Sequence, residues 1–488
     1  MTAGPRRLLV GPFNRVEGDL EVGLEVSGGR VVAARVNASL YRGFEQILMG
    51  RDPHDALVYV PRICGICSVS QSVAAAFALA NAAGIAPPPN GRLAVNLIHA
   101  CENVADHLTH FYLFFMPDFA RDAYAGRPWH PRVAGRFKAV TGQAAGQVLP
   151  ARARFLEIMG LMAGRWPHSL ALQPGGTTRA LLPAEPLRLG FMIAEFRAFL
   201  ERVTFGDRLE SVASIASLDE LTAWRAKPGA ADSDLGMFLA VADDLDLGAL
   251  GRATDRFLSF GAYPAAAGGH LFARGLTDCE TVEAMDPAAI AEDATHAWLV
   301  EGEGPLPPFA GVTAPLPDKE DAYTWCKAPR YANRVVETGA LARQMVAGHP
   351  LVRELVSRQG GSVRARVLAR LLEIALVVPA MEGWARALRP GEPYCDSVRL
   401  PDQADGIGLA EAARGSLGHW LRIHKGKLQN YQIIAPTTWN FSPRDRNGQP
   451  GALEQALVGA PVGDDEKTPL AVQHIVRSFD PCMVCTVH

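Results

Sequence analysis

The feature that most constrains the fold is the placement of two Cys-x-x-Cys pairs at opposite ends of the chain. Cys64 and Cys67 lie in the segment RICGIC, and Cys482 and Cys485 lie among the last seven residues. Four thiolates form a complete ligand set for a soft metal ion. If the two pairs share one site, the fold must bring both ends of the chain together in its core.

Other interpretations of these cysteines stay open at this point. A single Cys-x-x-Cys pair is also typical of a redox dithiol or of half a zinc site. A structural zinc site with four cysteines usually has a short loop between its pairs, whereas residues 68–481 separate them here. The remaining cysteines lack iron–sulfur spacing, so we expect them to be small buried hydrophobic residues: Cys101, Cys279, Cys326 and Cys395.

Composition excludes several classes of protein. Hydrophobic residues make up 48% of the 488 residues, which is typical of a globular protein. A net charge of -3 gives no basic field for binding nucleic acid. The longest apolar segment, residues 367–388, is interrupted by Arg370, Glu373, Pro379 and Glu382, so we expect no membrane span. No apolar segment follows Arg6 and Arg7, so we expect no export signal in this chain.

Sequence periodicity predicts an α+β fold that is mainly helical. Residues 20–40 alternate apolar and polar residues around a Gly28-Gly29 turn, which predicts a β-hairpin. Apolar spacing predicts helices over 68–83, 90–115, 151–164, 187–203, 282–300 and 363–388, with loops over 304–317 and 389–408. We expect one intertwined unit over 1–488, with a strand-rich part (1–60), a mainly helical part (61–390) and a C-terminal part that completes the metal site (391–488).

Several segments together resemble the large subunits of nickel-iron hydrogenases. Beside RICGIC and SFDPCMVCTVH, the similar segments are FNRVEGD, YRGFEQILMGRDPHDA, ENVADHLTHFY, YTWCKAPRY, EAARGSLGHW and NYQIIAPTTWNFSPRD, in the order of the family. The resemblance implies the family's fold, with a core of long helices. Metal-free relatives in complex I lack the cysteines that are present here.

The resemblance implies a nickel-iron centre that splits dihydrogen. All four cysteines would bind nickel, and Cys67 and Cys485 would also bridge to an iron that carries carbon monoxide and cyanide. Pro329, Arg330 and Thr437 match the positions that enclose these diatomic ligands. An arginine suits this role because it is a permanent donor and does not compete for the metal.

Splitting dihydrogen releases a proton, so a base must lie within reach. The resemblance offers Cys482, which would pass the proton to Glu17. It also offers Arg330, held above the metals by Asp106 and Asp480, although a guanidinium base needs a strongly lowered pKa. We favour proton exit through Cys482 and Glu17, with Arg330, Asp106 and Asp480 as essential residues around the metals. Taken singly, each carboxylate is also consistent with an ordinary surface or turn residue.

A second cation site is implied at the end of the chain. Glu45, His488 and the backbone carbonyl of Ile433 match a site for magnesium or iron. A carboxylate and a carbonyl suit a hard cation, although the imidazole makes magnesium less obvious. If His488 binds a metal, the C-terminus is fixed beside Cys485.

One residue near the first cysteine pair indicates a physiological role. Gln71 stands where the family usually has a histidine, and an amide can donate a hydrogen bond but cannot titrate. This pattern resembles the regulatory, hydrogen-sensing branch, in which bulky residues such as Ile63 and Phe111 narrow the gas path. The sensing role implies slow turnover, a histidine kinase as partner and a cytoplasmic location.

The alternative is an energy-conserving uptake hydrogenase, which would be exported or membrane-associated through its partner. A chain without its own iron–sulfur clusters needs an iron–sulfur small subunit in either case. The resemblance also allows two such heterodimers to pair. A non-catalytic protein with a four-cysteine zinc site is the third interpretation.

Overall fold

The computed structural model describes residues 6–488, in which helices account for 45% and strands for 19% of the chain. The prediction of a mainly helical α+β fold is therefore confirmed. No helix in this range combines the length and the apolar character that a membrane crossing requires.

The strands form small antiparallel sheets. A first meander joins β1 to β3, a second joins β6 to β8, and a third joins β11 to β13; two further pairs join β4 to β5 and β9 to β10. Their bounds are β1 Arg6–Val10, β2 Leu20–Ser27, β3 Arg30–Ala38, β4 Leu172–Gln173, β5 Gly176–Thr177, β6 Phe257–Pro264, β7 His270–Thr277, β8 Val282–Glu283, β9 Ile290–Asp293, β10 Ala328–Tyr331, β11 Gln403–Ala412, β12 Gly415–His424 and β13 Lys427–Ile434.

Long helices build the centre of the molecule, as predicted: α4 packs against α6 and α14, and α7 packs against α6 and α14. The helices are α1 Phe44–Leu48, α2 Ala56–Tyr59, α3 Ser68–Ala83, α4 Pro89–Thr109, α5 His130–Phe137, α6 Gln143–Ala163, α7 Glu185–Phe199, α8 Leu209–Ala213, α9 Leu218–Arg225, α10 Pro228–Asp232, α11 Asp234–Asp244, α12 Ala340–Ala347, α13 Pro350–Gln359, α14 Val363–Ala387, α15 Pro436–Asn440, α16 Ala452–Leu457, α17 Leu470–Ser478 and α18 Met483–Thr486. Two π-helical segments, His110–Phe115 and Leu200–Phe205, extend α4 and α7.

Helix α3 lies directly on the third meander. A Cβ atom on Gly408 of β11 would come within 1.9 Å of the Ala74 carbonyl oxygen. Only glycine permits so close an approach of strand and helix. The helix that follows the first cysteine pair is thereby held against the sheet.

Backbone pairing joins the two ends of the chain. The N–H of Met483 donates to the Glu17 carbonyl oxygen at 2.7 Å, and the Glu17 N–H donates to Pro481 at 3.4 Å. A Cβ on Gly18, whose φ is +79°, would lie 3.1 Å from the Met483 Cβ, so this crossing requires glycine. The connection between β1 and β2 therefore positions the segment that carries the last two cysteines.

Some local predictions are wrong. Residues 282–300 do not form a helix, because Pro287 interrupts the segment and Ile290–Asp293 pairs with Ala328–Tyr331, far along the chain. The predicted hairpin over 20–40 is confirmed, with its turn at Gly28 and Gly29. The predicted loop over 389–408 is irregular only as far as residue 402, where β11 begins at the next residue.

Candidate metal centre

The four cysteines of the two pairs meet in one buried cluster. Their sulfur atoms all lie within 4.8 Å of one another. The Sγ atom of Cys485 is 3.1 Å from those of Cys67 and Cys482, and the Sγ atoms of Cys64 and Cys482 are 3.5 Å apart. The prediction that the two ends share one site is confirmed, and the spacing suits four thiolates around one metal centre.

Without a metal this cluster cannot hold four negative charges. Hydrogen bonds from the other three thiols lower the pKa of Cys64 far below its usual range. Burial raises the pKa of Cys482 and Cys485, and hydrogen bonding among the sulfurs raises that of Cys67. Ionising all four therefore requires a bound cation, whose charge offsets their repulsion.

Arg42 links the two cysteine motifs through hydrogen bonds. Its Nη2 donates to the carbonyl oxygen of Ile63 at 2.6 Å and also to the carbonyl oxygen of Val484. These are the residues directly before Cys64 and Cys485. The role of Arg42 was not predicted, although it lies in the segment YRGFEQ that carries part of the resemblance.

A second polar contact supports Cys482. The Thr437 hydroxyl oxygen accepts a hydrogen bond from the Cys482 N–H at 3.2 Å. Thr437 therefore lies beside the cluster, at the N-terminal end of α15. Its predicted contact with diatomic ligands stays a prediction.

The arginine that joins the two aspartates is Arg414, and the prediction of Arg330 for this role is wrong. Arg414 donates to Asp106 at 2.6 Å and to the Asp480 carboxylate at 3.1 Å. Its Nε donates to the Asp480 carbonyl oxygen at 2.9 Å. Arg414 sits in the two-residue turn between β11 and β12, and this turn carries its side chain to the cysteine-bearing loops.

Arg330 instead belongs to a separate ion pair. It donates to the Asp445 carboxylate at 2.9 Å and to the Ser442 hydroxyl at 3.1 Å. Strand β10 carries it, and Pro329 on the same strand lies opposite Glu292 of β9. The geometry therefore assigns Arg330 to holding the loop of residues 442–449. The predicted contact of Pro329 with diatomic ligands stays a prediction.

Arg414 is a permanent cation in this site. Burial disfavours its charge, but Asp106 and Asp480 outweigh burial and raise its pKa well above the usual range. A guanidinium with a raised pKa cannot act as a base. Burial raises the pKa of Asp106 to about 7, whereas at Asp480 the Arg414 charge outweighs burial and lowers the pKa.

The backbone of Glu17 pairs with that of Cys482, and Glu17 is only half-buried. Burial, and then the charge of Cys64, raise the pKa of its carboxyl group, although Arg414 and Arg42 oppose this. A half-buried carboxyl group with a raised pKa can take up and release a proton. The structure therefore brings together Glu17, Cys482, Asp106 and Asp480, as predicted.

The residues predicted for a second cation also meet. His488 Nε2 lies 3.3 Å from Glu45 Oε1, and the Ile433 N–H donates to the same oxygen at 2.8 Å. His488 Nδ1 lies 3.0 Å from the carbonyl oxygen of Cys485, so the chain end is held beside the cluster. A small cavity of about 20 Å³ adjoins these residues.

An unpredicted ammonium group enters this second site. Lys327 Nζ lies 3.5 Å from Glu45 and 3.3 Å from Glu292. Burial opposes the ionisation of Glu45, but Lys327 and His488 outweigh it and lower its pKa to about 2. Burial raises the pKa of Glu292, although Lys327 opposes the rise. The carboxylate oxygens of this group are ligands that suit a hard divalent cation.

Gln71 is buried on α3, and its backbone N–H donates to the Cys67 carbonyl oxygen at 3.1 Å. Its side-chain Oε1 lies 2.9 Å from His419 Nε2, and His419 Nδ1 lies 2.8 Å from the Tyr431 hydroxyl. Burial lowers the pKa of His419 to about 3, so this imidazole is neutral. The glutamine next to the cysteines is thus supported by a histidine that the sequence did not single out.

The two residues predicted to narrow the gas path are both buried. Phe111 lies in the π-helical segment and packs edge-on against Tyr112, Phe137 and Phe238. Ile63 precedes Cys64 and bonds to Arg42 through its carbonyl. Their effect on gas access stays a prediction.

The other cysteines divide into two groups. Cys101 and Cys326 are buried, as predicted, whereas Cys279 and Cys395 lie in loops and are partly exposed. Burial was therefore the wrong prediction for these last two, since neither lies on a helix or strand that faces the core.

Comparisons with known proteins agree with one another. The family model described as nickel-dependent hydrogenase matches residues 42–125 and 147–488. The chain is 32% identical to the periplasmic [NiFeSe] hydrogenase large subunit of Desulfomicrobium baculatum, over 99% of this chain and 95% of that protein. It is 27% identical to the uptake hydrogenase large subunit of Cupriavidus necator, over 99% and 95%.

The comparison of folds gives the same result. The crystal structure of the reduced Ni-Fe-Se hydrogenase of D. vulgaris Hildenborough superposes with a TM-score of 0.84 and 32% identity, covering 99% of this chain and all of that one. In this chain all four positions of the cluster are cysteines.

Proposed function

The chain belongs to the nickel-dependent hydrogenase family as a catalytic large subunit, and from this premise we propose that its four clustered cysteines hold a nickel-iron pair at which dihydrogen yields protons and electrons. The observation that carries the proposal is the meeting of four buried sulfurs within 4.8 Å. Soft thiolates suit both metals, and the bound pair would polarise dihydrogen.

The residues around the cluster would have two roles, proton transfer and electrostatic stabilisation. Cys482 would receive the proton, and Glu17 would carry it to the surface. Backbone pairing places the two residues next to each other, and Glu17 is only half-buried. Arg414 holds a fixed positive charge over the site, and Asp106 and Asp480 orient it. Such preorganised charge needs no rearrangement when charge develops in the reaction.

Following the family resemblance, Cys67 and Cys485, whose sulfur atoms lie 3.1 Å apart, would also bind the iron. Carbon monoxide and cyanide on that iron need donors that are not themselves metal ligands. Arg414 replaces Arg330 as the candidate for this contact, and Thr437 stays a candidate. Magnesium or iron at Glu45, His488 and the Ile433 carbonyl would fix the chain end.

Electrons must leave through another protein, since the described cysteines outside the cluster are too dispersed for an iron–sulfur centre. We propose an iron–sulfur small subunit as the partner. The relatives are named as large subunits, which implies a companion subunit.

The physiological use has two candidates. The relatives include a periplasmic enzyme and an uptake hydrogenase, which favour hydrogen oxidation for energy conservation at an exported or membrane-associated site. The buried Gln71, held by a neutral His419, favours the second candidate, a cytoplasmic hydrogen sensor that signals to a histidine kinase. An amide at this place cannot exchange a proton during turnover.

Hydrogen-dependent dye reduction by matched cysteine variants tests the catalytic proposal. Cys482→Ala should abolish activity, and Cys101→Ala should retain it, since Cys101 is buried outside the cluster. Retained activity in Cys482→Ala would contradict the proposal.

A further inference from the structure

Helix α3 begins at Cys67, and this residue cannot cap the helix that it starts. Cys67 is the N-cap residue but makes no side-chain capping bond, because its sulfur points into the cysteine cluster. A helix N-terminus normally needs an oxygen that accepts from the second or third backbone N–H. The first turn of α3 must find this acceptor elsewhere.

The Glu102 side chain of the neighbouring helix α4 supplies the acceptor. Its carboxylate accepts from the N–H groups of Val69 and Ser70, at 2.9 and 2.8 Å. These are the second and third residues of α3. The Ser70 hydroxyl and the Trp166 indole N–H donate to it as well, each at 3.0 Å.

Burying the Glu102 carboxylate without a cationic partner costs free energy, which indicates a specific role. Glu102 is 2% exposed, and burial raises its pKa to about 7 even though all four donors oppose the rise. Two other buried glutamates, Glu373 and Glu411, pair with Arg343. Among the ion pairs of residues 6–488, none includes Glu102, so neutral donors and the positive end of α3 hold it.

We propose that Glu102 is a positioning residue for Cys67, acting as the N-terminal cap of α3 from a different helix. By fixing the first turn, the carboxylate fixes the direction in which Cys67 presents its sulfur to the shared cluster. Cys67 is left free for a metal because another residue does the capping. This inference rests on the proposed function, in which Cys67 bridges nickel and iron.

Infrared spectroscopy of the purified complex tests the positioning role, because the carbon monoxide and cyanide bands report electron density at the iron. Glu102→Ala should shift these bands by more than their width, and Glu102→Gln, which keeps one acceptor oxygen, should shift them less. Glu454→Ala is the matched control. Glu454 is also buried with a pKa raised by burial to about 7, and it accepts from the Val36 N–H at 3.1 Å and from the Tyr323 hydroxyl at 2.8 Å, not from α3.

Hydrogen exchange on the metal-free chain gives a second readout that needs no bound metal. In Glu102→Ala the amides of Val69 and Ser70 should lose protection, while in Glu454→Ala they should keep it. Unchanged protection in Glu102→Ala would overturn the capping, and unshifted infrared bands would overturn the positioning of Cys67. A wild-type complex without bands would instead contradict the proposed function, and exchange would still decide whether Glu102 caps α3.

Discussion

Replacing Arg414 with leucine should destabilise the metal-free chain by about 3–5 kcal/mol, the usual cost of removing one partner from a buried ion pair. Arg414 donates to Asp106 at 2.6 Å and to Asp480 at 3.1 Å, and all three side chains are buried. The substitution leaves two buried carboxylates without their cation. Since domains are stable by only about 5–15 kcal/mol, urea unfolding at fixed pH will measure the loss.

Arg330→Leu is the matched control, because Arg330 is equally buried and pairs with Asp445 at 2.9 Å. Both variants should lower the free energy of unfolding. Only Arg414→Leu should also lower hydrogen oxidation per metal-loaded chain and shift the infrared bands. Arg414→Lys keeps the charge but loses the forked geometry, so it should fall between leucine and wild type. Altered bands in Arg330→Leu, with unchanged bands in both Arg414 variants, would refute the reasoning.

Three further predictions concern single residues. Glu17→Gln should lower hydrogen oxidation by about 10²-fold without moving the infrared bands, because an amide cannot carry a proton; activity close to wild type would exclude this exit route. Gln71→His should raise turnover and oxygen inhibition if the chain is a sensor; rapid turnover in the wild type, with no copurifying kinase, would instead support uptake. Burial alone would raise the pKa of Glu45, but Lys327 and His488 lower it from the ordinary 4.5 to about 2. The ionised Glu45 side chain therefore stabilises the fold fully above pH 4.5, and this stabilisation is lost as the pH falls towards 2. Glu45→Gln should remove this part of the acid dependence of urea unfolding, and an unchanged dependence would contradict the assignment.

The cysteine spacing, together with the resemblance, was enough to predict that the two ends of the chain meet. The two pairs form a complete four-thiolate ligand set only if they meet, and the structure brings all four together. The glycine hairpin and the long central helices were also predictable, because their signals are local periodicities. The strand over Ile290–Asp293 was not, since it depends on pairing with Ala328–Tyr331.

The arginine assignment failed for a related reason. Arg330 and Arg414 both lie in segments that carry the resemblance, and only the three-dimensional path of the β11–β12 turn shows which one reaches Asp106 and Asp480. The capping role of Glu102 could not be predicted from the sequence for the same reason, because Glu102 lies in α4 and caps α3. Such contacts depend on long-range packing, for which a sequence pattern has no local signal.

The most direct test of the account is the metal content of the purified chain with its partner, combined with its infrared spectrum. The account predicts nickel and iron together, with bands in the carbon monoxide and cyanide region that disappear in Cys67→Ala. Tightly bound zinc without such bands would contradict it, and would make the four cysteines a structural site.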